Sequence, residues 1–478
     1  MTQEPPPAAH LSAPPSVNPY AAPAAGSDPR FALGQAIGFS AFVWGYPLIE
    51  SVRTCHLQTT PSLAQKAAWG APIDHVHHMT RAATAADRDI VTPANDLLYT
   101  TGWINLANGP RLLRVPSARL HAGRYFVLAL YDAWTNNFAN PGLRVSPEAG
   151  ETVVLIGPET PVDDALRSLG RVVQSPTNLV WLIGRVVVGD AAADILAARI
   201  LQADIRLDCL PGTDSATQPS AVGEWVGEAE DTIAALSARP GDSLTIAARF
   251  FANLCHAMAE NPAPAADAGL IAWFASAKLV PGFAFDWQFI DKPLQDGLHQ
   301  GLLDAAALVV ANSRSRVARP WAASYVLGRY GSNYLTRALT AYKGLGGLAS
   351  DEAIYAMGDF DAHKQPLDGQ HRYTMRFVAG DLPPVDSFWS VTMYAADRFL
   401  YPNPLERFAI GDRTSGLQHD PDGSLTLIIS HQRPSDTSNW LPAPLGSFYL
   451  MLRMYCPRAE ARTWRIPPLV KSGHDATI

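Results

Sequence analysis

Two long stretches of short β-branched and aromatic runs lie on either side of a stretch with helical periodicity, and this alternation constrains the fold most. Between residues 90 and 184, runs such as RYFVLALYDAW and ETVVLIGP are separated by Gly and Pro at the intervals of an antiparallel sandwich or barrel. Similar runs, including SLTLIISHQ and GSFYLMLRMYC, return after about residue 320. Residues 222–312 instead repeat apolar side chains at helical spacing. We therefore predict an α+β protein with a helical block between two β regions.

The length of 478 residues exceeds one ordinary core and favours two or three domains. We predict four segments: a disordered arm at 1–29, an N-terminal helix and β-sandwich at 30–221, a helical connecting block at 222–315 and a C-terminal β-sandwich at 316–478. The arm is rich in Pro and Ala and lacks the basic and apolar regions of a signal peptide. We expect the first helix to end at the corner Gly45-Tyr46-Pro47, because proline disrupts helices. No repeat of fixed period is visible.

The charge balance argues against nucleic acid and anionic membranes as partners. There are 37 basic and 44 acidic side chains, a formal net charge of -7, with no long run of either sign. No apolar run is long enough to span a membrane. The four cysteines are scattered without a C-x-x-C pair, which is typical of free thiols in a reducing compartment. We therefore expect a cytoplasmic protein with a small-molecule ligand.

Two sets of motifs resemble a tandem bacterial family. TAADRDIVTPANDLLYTTGWINL and RYFVLALYDAWTNNFANPGLR, in that order, resemble the domain of unknown function numbered 1254. Further on, LPPVDSFWSVTMYAADRFLYPNPLERFAIGD and NWLPAPLGSFYLMLRMYCP resemble its C-terminal companion, numbered 1214. The resemblance covers roughly residues 32 to 470. It implies two jelly-roll-like β domains with helical additions, commonly assembled as homo-oligomers and often exported, but no established reaction.

The match is incomplete around Asp96. The family's turn reads approximately Pro-Asn-x-Asp-Thr-Leu-Tyr-Ser, whereas this chain reads PANDLLYT, so Asp96 and Tyr99 match but the Asn after Pro and the Thr after Asp do not. Asp96 stands before Leu-Leu-Tyr, where burial would raise its pKa towards acid or base duty, with Tyr99 beside it. The alternative is a turn in which Asn95 and Asp96 bind their own backbone.

A second carboxylate, Asp132, continues an apolar strand face. Alternation in RYFVLALYDAWTNN places Asp132, Trp134 and Asn136 on the face of Phe126, opposite Tyr125. A buried carboxylate needs partners or a proton. We interpret this strand end as a pocket rim, with Asp132 as a catalytic group and with Trp134 and Asn136 as substrate-binding residues. The alternative is a structural hydrogen-bonding hub.

Three further residues are candidates for ligand binding. Arg453 shares a strand face with aromatic residues in YLMLRMY, where it would hold an anionic group or pair a buried carboxylate such as Asp132. Its alternative is a side chain that extends from the sheet face towards solvent. Trp440, in SNWLPAP, either lines a cavity or anchors its loop, and Tyr46 is similarly ambiguous.

The segment DHVHHM is a weak metal candidate. His75 and His77 form an H-x-H pair, with His78 next to them. A metal would need a further ligand, and Asp74 faces away if the segment is a strand. We therefore expect a hydrogen-bonded or solvated histidine cluster, and we predict neither a metal nor a cofactor.

These features lead to two functional hypotheses. The first is a cofactor-independent hydrolase or lyase that uses Asp132 and Asp96 as an acid/base pair on a small, largely uncharged molecule in a β-domain cavity. The second is a non-catalytic protein that binds a small ligand or forms oligomers. The sequence has no G-x-S-x-G elbow, P-loop, H-E-x-x-H or Rossmann glycine motif. The first hypothesis requires the two carboxylates to lie within about 10 Å of each other.

Overall fold

A computed structural model describes residues 28–60, 69–88, 90–210, 225–313 and 319–472. The predicted disordered arm lies almost wholly outside these residues. The described part is an α+β structure, as predicted, with four β-sheets. Its α-helices are α1 (Pro29–Thr59), α2 (Asp164–Leu169), α3 (Ala192–Ala203), α4 (Thr232–Ala238), α5 (Ser243–Glu260), α6 (Ala268–Phe274), α7 (Lys292–Asn312) and α8 (Tyr334–Gly344). Helices α4 to α7 confirm the predicted helical block.

The first β unit consists of nine strands in two sheets. The strands are β1 (His77–His78), β2 (Leu97–Asn105), β3 (Arg111–Val115), β4 (Phe126–Asp132), β5 (Asn137–Ala139), β6 (Glu151–Ile156), β7 (Arg171–Gln174), β8 (Leu179–Val187) and β9 (Arg206–Cys209). One sheet has the order β1-β2-β8-β4-β5, and the other has the order β7-β6-β3-β9. Apolar side chains from both sheets form one core, which shows that the sheets pack against each other.

The second β unit repeats this topology strand for strand. Its strands are β10 (Ala322–Ser324), β11 (Ala353–Gly358), β12 (Tyr373–Phe377), β13 (Trp389–Ala395), β14 (Ala409–Gly411), β15 (Leu425–Ser430), β16 (Trp440–Pro442), β17 (Phe448–Tyr455) and β18 (Val470–Lys471). The sheet orders are β10-β11-β17-β13-β14 and β16-β15-β12-β18. Replacing each strand of the first unit by the one nine places later gives the second. The chain therefore contains a structural duplication that the sequence did not reveal.

The pairing is mostly antiparallel, with one exception in each unit. Strand β6 pairs with β7 in parallel, and its counterpart β15 pairs with β16 in parallel. The prediction of purely antiparallel sheets is therefore wrong at these two edges. A parallel pair needs a crossover, and the short helix α2 lies in the connection between β6 and β7.

The alternation predicted along RYFVLALYDAWTNN is confirmed within β4 but is wrong beyond it, because Trp134 packs into the same core as Tyr125 and not on the face of Phe126. Phe126, Leu128 and Leu130 point into the core shared by the two sheets of the first unit. Tyr125 and Tyr131 point to the other side, into a larger core that also contains side chains of the helices. Both faces of β4 are therefore buried, one against the second sheet and one against the helical block and the second β unit.

Helix α1 does not end at Pro47, contrary to the prediction, but continues for about three further turns beyond it. Proline removes the hydrogen bond to the carbonyl four residues earlier. Nearby, the Arg337 guanidinium donates to the Trp44 carbonyl at 3.1 Å. The helix is buried on most sides in this region, so its packing outweighs the local preference of proline.

By length and apolar composition, one described helix, α1, is able to cross a membrane. Two thirds of its most apolar window is buried inside the protein. Buried core helices of soluble proteins and signal sequences have the same composition, so this feature does not fix the location of the protein.

Helices α1 and α7 approach closely through glycines. A Cβ on Gly301 of α7 would lie 2.1 Å from the carbonyl oxygen of Gln35, and a Cβ on Gly38 of α1 would lie 2.3 Å from that of Leu298. Because these contacts are with backbone atoms, no side chain can move aside to make room. The two helices must separate if either glycine gains a methyl group.

We expect Gly301→Ala to lower the free energy of unfolding by about 1–3 kcal/mol, since the added methyl overpacks the contact between α1 and α7. Gly269→Ala in α6 is the matched control, because a Cβ there meets no atom within 4 Å. The control should be neutral or stabilising by up to about 1 kcal/mol, as alanine is the better helix former. Urea unfolding of both variants measures the difference in their free energies of unfolding. Equal changes in the two variants would contradict the close approach of α1 and α7.

Candidate functional site

The structure separates the two predicted catalytic carboxylates. The Asp96 carbonyl accepts from the amide of Val188, just beyond one end of β8. Asp132 pairs with Val180, near the other end of the same strand. At the rise of an extended strand these positions lie roughly 25 Å apart. The predicted acid/base pair therefore does not form one site.

Asp132 closes a turn at the end of β4. Its carboxylate accepts from the backbone amide of Asn136 at 2.8 Å and from the Asn136 side chain at 2.9 Å. Burial raises the pKa of Asp132 to about 6, although the Asn136 hydrogen bonds and the Arg337 charge oppose the rise. These contacts match the alternative hypothesis for Asp132, a structural hydrogen-bonding hub. In this hub Asp132 and Asn136 bind each other.

Asp132 should make stability depend on pH. Its folded pKa of about 6 lies above the value of about 3.9 for an unfolded aspartate, so the folded state binds the extra proton between these pH values. This stabilisation is complete below about pH 4 and is lost as pH rises to about 6, a loss of about 3 kcal/mol. Asp132→Asn should remove it, so the variant should gain stability over the wild type across this range.

Urea unfolding at several pH values from 4 to 7 measures this effect. Asp164→Asn is the control for the removal of one carboxylate, because the Asp164 side chain is fully exposed. A difference between Asp132→Asn and wild type that stays constant from pH 4 to 7 would contradict the raised pKa.

Three predicted binding residues are structural in their contacts. The Trp134 indole donates to the Pro262 carbonyl at 3.2 Å and packs on Trp44 with ring centroids 4.4 Å apart. Tyr46 is fully buried in α1, and its hydroxyl lies 3.4 Å from an oxygen of Asp231. The Trp440 indole donates to the carbonyl of Ser430 in the neighbouring strand. None of the three is among the described residues that line the cavity discussed below.

The three histidines do not converge on one point. His75 contacts the Ile73 carbonyl through Nδ1, whereas Nδ1 of His78 lies 2.9 Å from the Thr100 hydroxyl across the sheet. His77, which precedes His78 in β1, pairs with Thr101 of the neighbouring strand β2. Within the described residues, no group of three or more His, Cys, Asp or Glu side chains is arranged to hold a metal ion.

The strongest candidate site is a cavity of about 260 Å³. Its walls come from β2 and β8 of the first unit, β11 and β17 of the second, and helix α8. Among the predicted residues, Tyr99 and Arg453 line it. Arg185, Tyr355 and Tyr455 also line it, and no acidic side chain is among the described lining residues.

The duplication places an Arg–Tyr pair from each unit at this cavity. Arg185 on β8 lies opposite Tyr99 on β2, and Arg453 on β17 lies opposite Tyr355 on β11. Each guanidinium lies over its tyrosine ring, 5.8 Å and 5.9 Å from the ring centroid. The two pairs occupy equivalent registers, so the cavity lies between matching surfaces of the two units.

Each Arg also holds a loop that comes from the opposite unit. The Arg185 guanidinium and the Tyr131 hydroxyl both donate to the carbonyl of Gly346, in the loop before β11. In the reciprocal contact, Arg453 donates to the carbonyl of Thr92, in the loop before β2, at 2.8 Å. These crossed contacts fix both loops at the cavity wall.

The electrostatic environment of Arg185 is unusual. Its exposed fraction is 6%, and its hydrogen bonds go to the carbonyls of Ile183 and Gly346. Among the described residues, no carboxylate oxygen lies within 4.0 Å of its guanidinium. Arginine remains charged in proteins, and a buried charge without an opposite charge costs several kcal/mol. The site is therefore suited to a negatively charged ligand.

Asp96 is not a described lining residue, but it interacts electrostatically with Arg453. Neither of its carboxylate oxygens, nor Oδ1 of Asn95, is accessible or hydrogen-bonded within the part of the chain that the structure describes. The predicted alternative, a turn in which these side chains bind their own backbone, therefore has no well-formed hydrogen bond at these three oxygens, although the backbone amide of Asp96 helps to lower the pKa of its carboxyl. Burial raises the pKa of Asp96, against the effects of the Ser390 hydroxyl and the guanidinium of Arg453.

Sequence analysis missed Arg185, although a signal was present. Arg185 is the one charged residue in the apolar run LVWLIGRVVV, and alternation places it on the face of Trp181 and Ile183. The same reasoning identified Arg453 in YLMLRMY. A charged residue in the middle of an apolar strand indicates a candidate binding residue in both units.

Comparisons with known proteins agree with the two-unit architecture. The description "Protein of unknown function (DUF1254)" matches residues 73–209, and "Protein of unknown function (DUF1214)" matches residues 352–459. The first range coincides with the first β unit, and the second contains most of the second unit. No curated protein sequence matches the chain.

Two solved structures resemble this one. The VPA0106 protein from Vibrio parahaemolyticus has a TM-score of 0.62 and 23% identity, with coverage of 92% of this chain and 100% of that chain. An uncharacterised protein from Burkholderia cenocepacia has a TM-score of 0.42 and 11% identity, with coverage of 92% and 94%. The first likeness supports the fold. The chain belongs to the family of proteins in which a DUF1254 region is followed by a DUF1214 region.

Proposed function

We propose that the protein binds a small organic anion in the cavity between its two β units. The observation that carries this proposal is Arg185, a buried guanidinium at the cavity with no carboxylate partner among the described residues. A ligand carboxylate would supply the missing charge and form charge-assisted hydrogen bonds, which are roughly twice as strong as neutral ones. The cost of burying Arg185 would then be offset in the complex.

The rest of the cavity fits a compact apolar body. Trp181, Ile183 and Leu339 line it together with tyrosine rings. A cavity of roughly 150 Å³ accepts benzene, so the larger volume here accommodates a single-ring aromatic acid or an aliphatic acid of similar size. A mostly apolar wall with a few polar groups is the usual composition of small-molecule sites.

This proposal favours the second sequence hypothesis, a small-ligand-binding protein, over the hydrolase or lyase. The acid/base mechanism required Asp96 and Asp132 to act on the same bond of the substrate. They lie beside opposite ends of β8 instead. The ligand class also changes, since an uncharged molecule would leave Arg185 without an opposite charge. Tyr99 and Arg453 remain in the proposed site as ligand contacts.

Matched acids and amides test the proposal. Isothermal titration of the full chain with benzoate, benzamide, hexanoate and hexanamide compares ligands that differ in charge but little in shape. We expect both carboxylates to bind and each amide to bind at least about tenfold more weakly, a difference of about 1.4 kcal/mol. Equal binding of acid and amide, or no binding of either acid, would contradict an anion site.

Three finer predictions remain proposals. Each β unit is proposed to be a jelly-roll-like sandwich, which is supported by the apolar cores between its paired sheets. A homo-oligomer is proposed from the family resemblance, and light scattering of the purified protein tests it. A cytoplasmic location is proposed because Cys55, Cys209, Cys255 and Cys456 are all free thiols.

A further inference from the structure

Aromatic side chains from both β units line the cavity. The aromatic members among its described lining residues are Trp69, Tyr99, Trp181, Tyr355 and Tyr455. The first three come from the first unit and the segment before it, and the last two come from strands β11 and β17 of the second unit. A ligand in the cavity therefore lies between rings that are supplied from both sides.

Contacts with other aromatic rings hold two of these side chains in place. The Trp181 indole stacks on Trp103, with ring centroids 4.8 Å apart and an angle of 6° between the planes. The Tyr455 ring stacks in the same way on Phe388, at 4.2 Å and 13°. Because the protein covers one face of each ring, a ligand can contact only the other face or the edge. These surfaces are ordered before a ligand arrives, so binding to them costs little conformational entropy.

The ring of Tyr99 is fixed beside the proposed anion site. The Tyr99 hydroxyl accepts from the backbone amide of Ala94 at 2.9 Å, and its ring packs against Trp69 with centroids 4.5 Å apart. The guanidinium of Arg185 lies 5.8 Å from the Tyr99 centroid. A ring attached directly to a carboxylate at Arg185 can therefore reach Tyr99 within the roughly 4.5–7 Å at which aromatic pairs interact.

We infer that the ligand is an aromatic carboxylate, with its acidic group at Arg185 and its ring among the aromatic side chains of the cavity. This inference rests on the proposed function, because it names the body of the anion proposed there. Aromatic rings contribute offset and edge-to-face contacts in addition to the burial of apolar area. A saturated acid of the same size buries a similar area against residues such as Ile183 and Leu339 but lacks those contacts. The cavity should therefore prefer the aromatic acid.

Tyr355 is the ring whose contribution can be isolated best. It is half-buried, whereas the other four aromatic side chains of the cavity are at most 5% exposed. It lies opposite Arg453 in the second unit, as Tyr99 lies opposite Arg185 in the first. Its hydroxyl accepts from the Leu348 amide at 3.3 Å. Replacing Tyr355 therefore changes the cavity wall more than the packing of the core.

Benzoate and cyclohexanecarboxylate provide the test, because they share the carboxylate and the six-carbon ring but differ in aromaticity. The saturated acid carries more C–H groups, so apolar burial alone would not favour benzoate. In isothermal titration of the full chain, we expect benzoate to bind at least about fivefold more tightly. Equal affinities, or tighter binding of cyclohexanecarboxylate, would overturn the inference. If neither acid binds, the proposed function fails first, so the two failures are distinguishable.

Two substitutions at Tyr355 separate the ring from its hydroxyl. Tyr355→Leu removes the ring, and we expect it to lower the ratio of benzoate to cyclohexanecarboxylate affinity by at least about twofold. Tyr355→Phe keeps the ring and should leave this ratio unchanged. Because the ratio compares two ligands on one variant, a general loss of stability or of anion binding does not alter it. An unchanged ratio in Tyr355→Leu, or an equal fall in both variants, would overturn the inference.

Tyr325→Leu is the matched control for Tyr355→Leu. Tyr325 directly follows β10, which is the neighbour of β11 in the sheet, but it is not among the described lining residues. Its ring instead lies under the guanidinium of Arg462, 5.2 Å from the centroid. The control should keep the wild-type ratio of benzoate to cyclohexanecarboxylate affinity. A fall as large as that in Tyr355→Leu would show that the preference does not come from the cavity rings and would overturn the inference.

Discussion

Replacing Arg185 with methionine is expected to stabilise the ligand-free protein and to abolish its binding of carboxylates. The side chain is 6% exposed, and no carboxylate among the described residues balances its charge. Replacement of a buried ion pair by apolar groups of similar volume is often neutral or stabilising, by about 1–4 kcal/mol, and we expect the same sign for a buried charge that has no carboxylate partner. The Gly346 carbonyl keeps a partner, because the Tyr131 hydroxyl also donates to it at 2.7 Å.

Arg453→Met is the matched comparison and should have the opposite effect on stability. It removes the same side chain from the equivalent strand position, but it also takes away the guanidinium charge that opposes the raised pKa of the buried Asp96 carboxyl. Breaking a buried charge interaction from one side costs about 3–5 kcal/mol. Urea unfolding of both variants, and titration of each with benzoate, measures the contrast.

Two results for Arg185→Met and Arg453→Met would contradict the proposed role of Arg185. If Arg185→Met is as destabilising as Arg453→Met, the protein itself compensates the Arg185 charge, and the case for an anionic ligand is lost. If Arg185→Met is stabilising yet still binds benzoate with wild-type affinity, the anion binds elsewhere. Stability gained together with binding lost would show that Arg185 is kept for its ligand.

Local patterns in the sequence predicted local geometry well. The period of two in β4 placed Phe126 and Tyr125 on opposite faces, and the same rule placed Arg453 among aromatic rings. These predictions hold because side-chain direction along a strand depends only on the parity of the position. The helical block was predicted for a similar reason, since its apolar spacing repeats over several helices.

Predictions that depend on distant partners were less successful. The separation of Asp96 from Asp132 follows from the register of β8, which pairs with both β2 and β4, and no local pattern contains that register. The end of α1 was misplaced at Pro47 because the packing that carries the helix onward comes from residues far along the chain. The duplication was invisible because equivalent strands share topology but are joined by loops and helices of different length.

Asp74→Asn is expected to destabilise the protein by about 3–5 kcal/mol, the largest loss of stability that we expect from a single change in the first β unit. Asp74 Oδ2 accepts from the Arg111 guanidinium at 2.8 Å, and both side chains are fully buried. The substitution would leave Arg111 as a buried cation without a carboxylate. Asparagine tolerates the left-handed backbone of Asp74, with φ of 61°, so strain would not account for the loss.

This ion pair also holds the edge of the sheet that reaches the cavity. Asp74 Oδ1 accepts from the amide of Asn105, and the Asp74 amide donates to the Trp103 carbonyl, so the segment before β1 is fixed against β2. Glu148→Gln is the control, because the Glu148–Arg119 pair is largely exposed and surface pairs contribute little. A cost no larger than that of the control in urea unfolding would refute the role of Asp74. The double variant Asp74→Asn, Arg111→Met should recover much of the lost stability, because it removes the unpaired charge together with its partner.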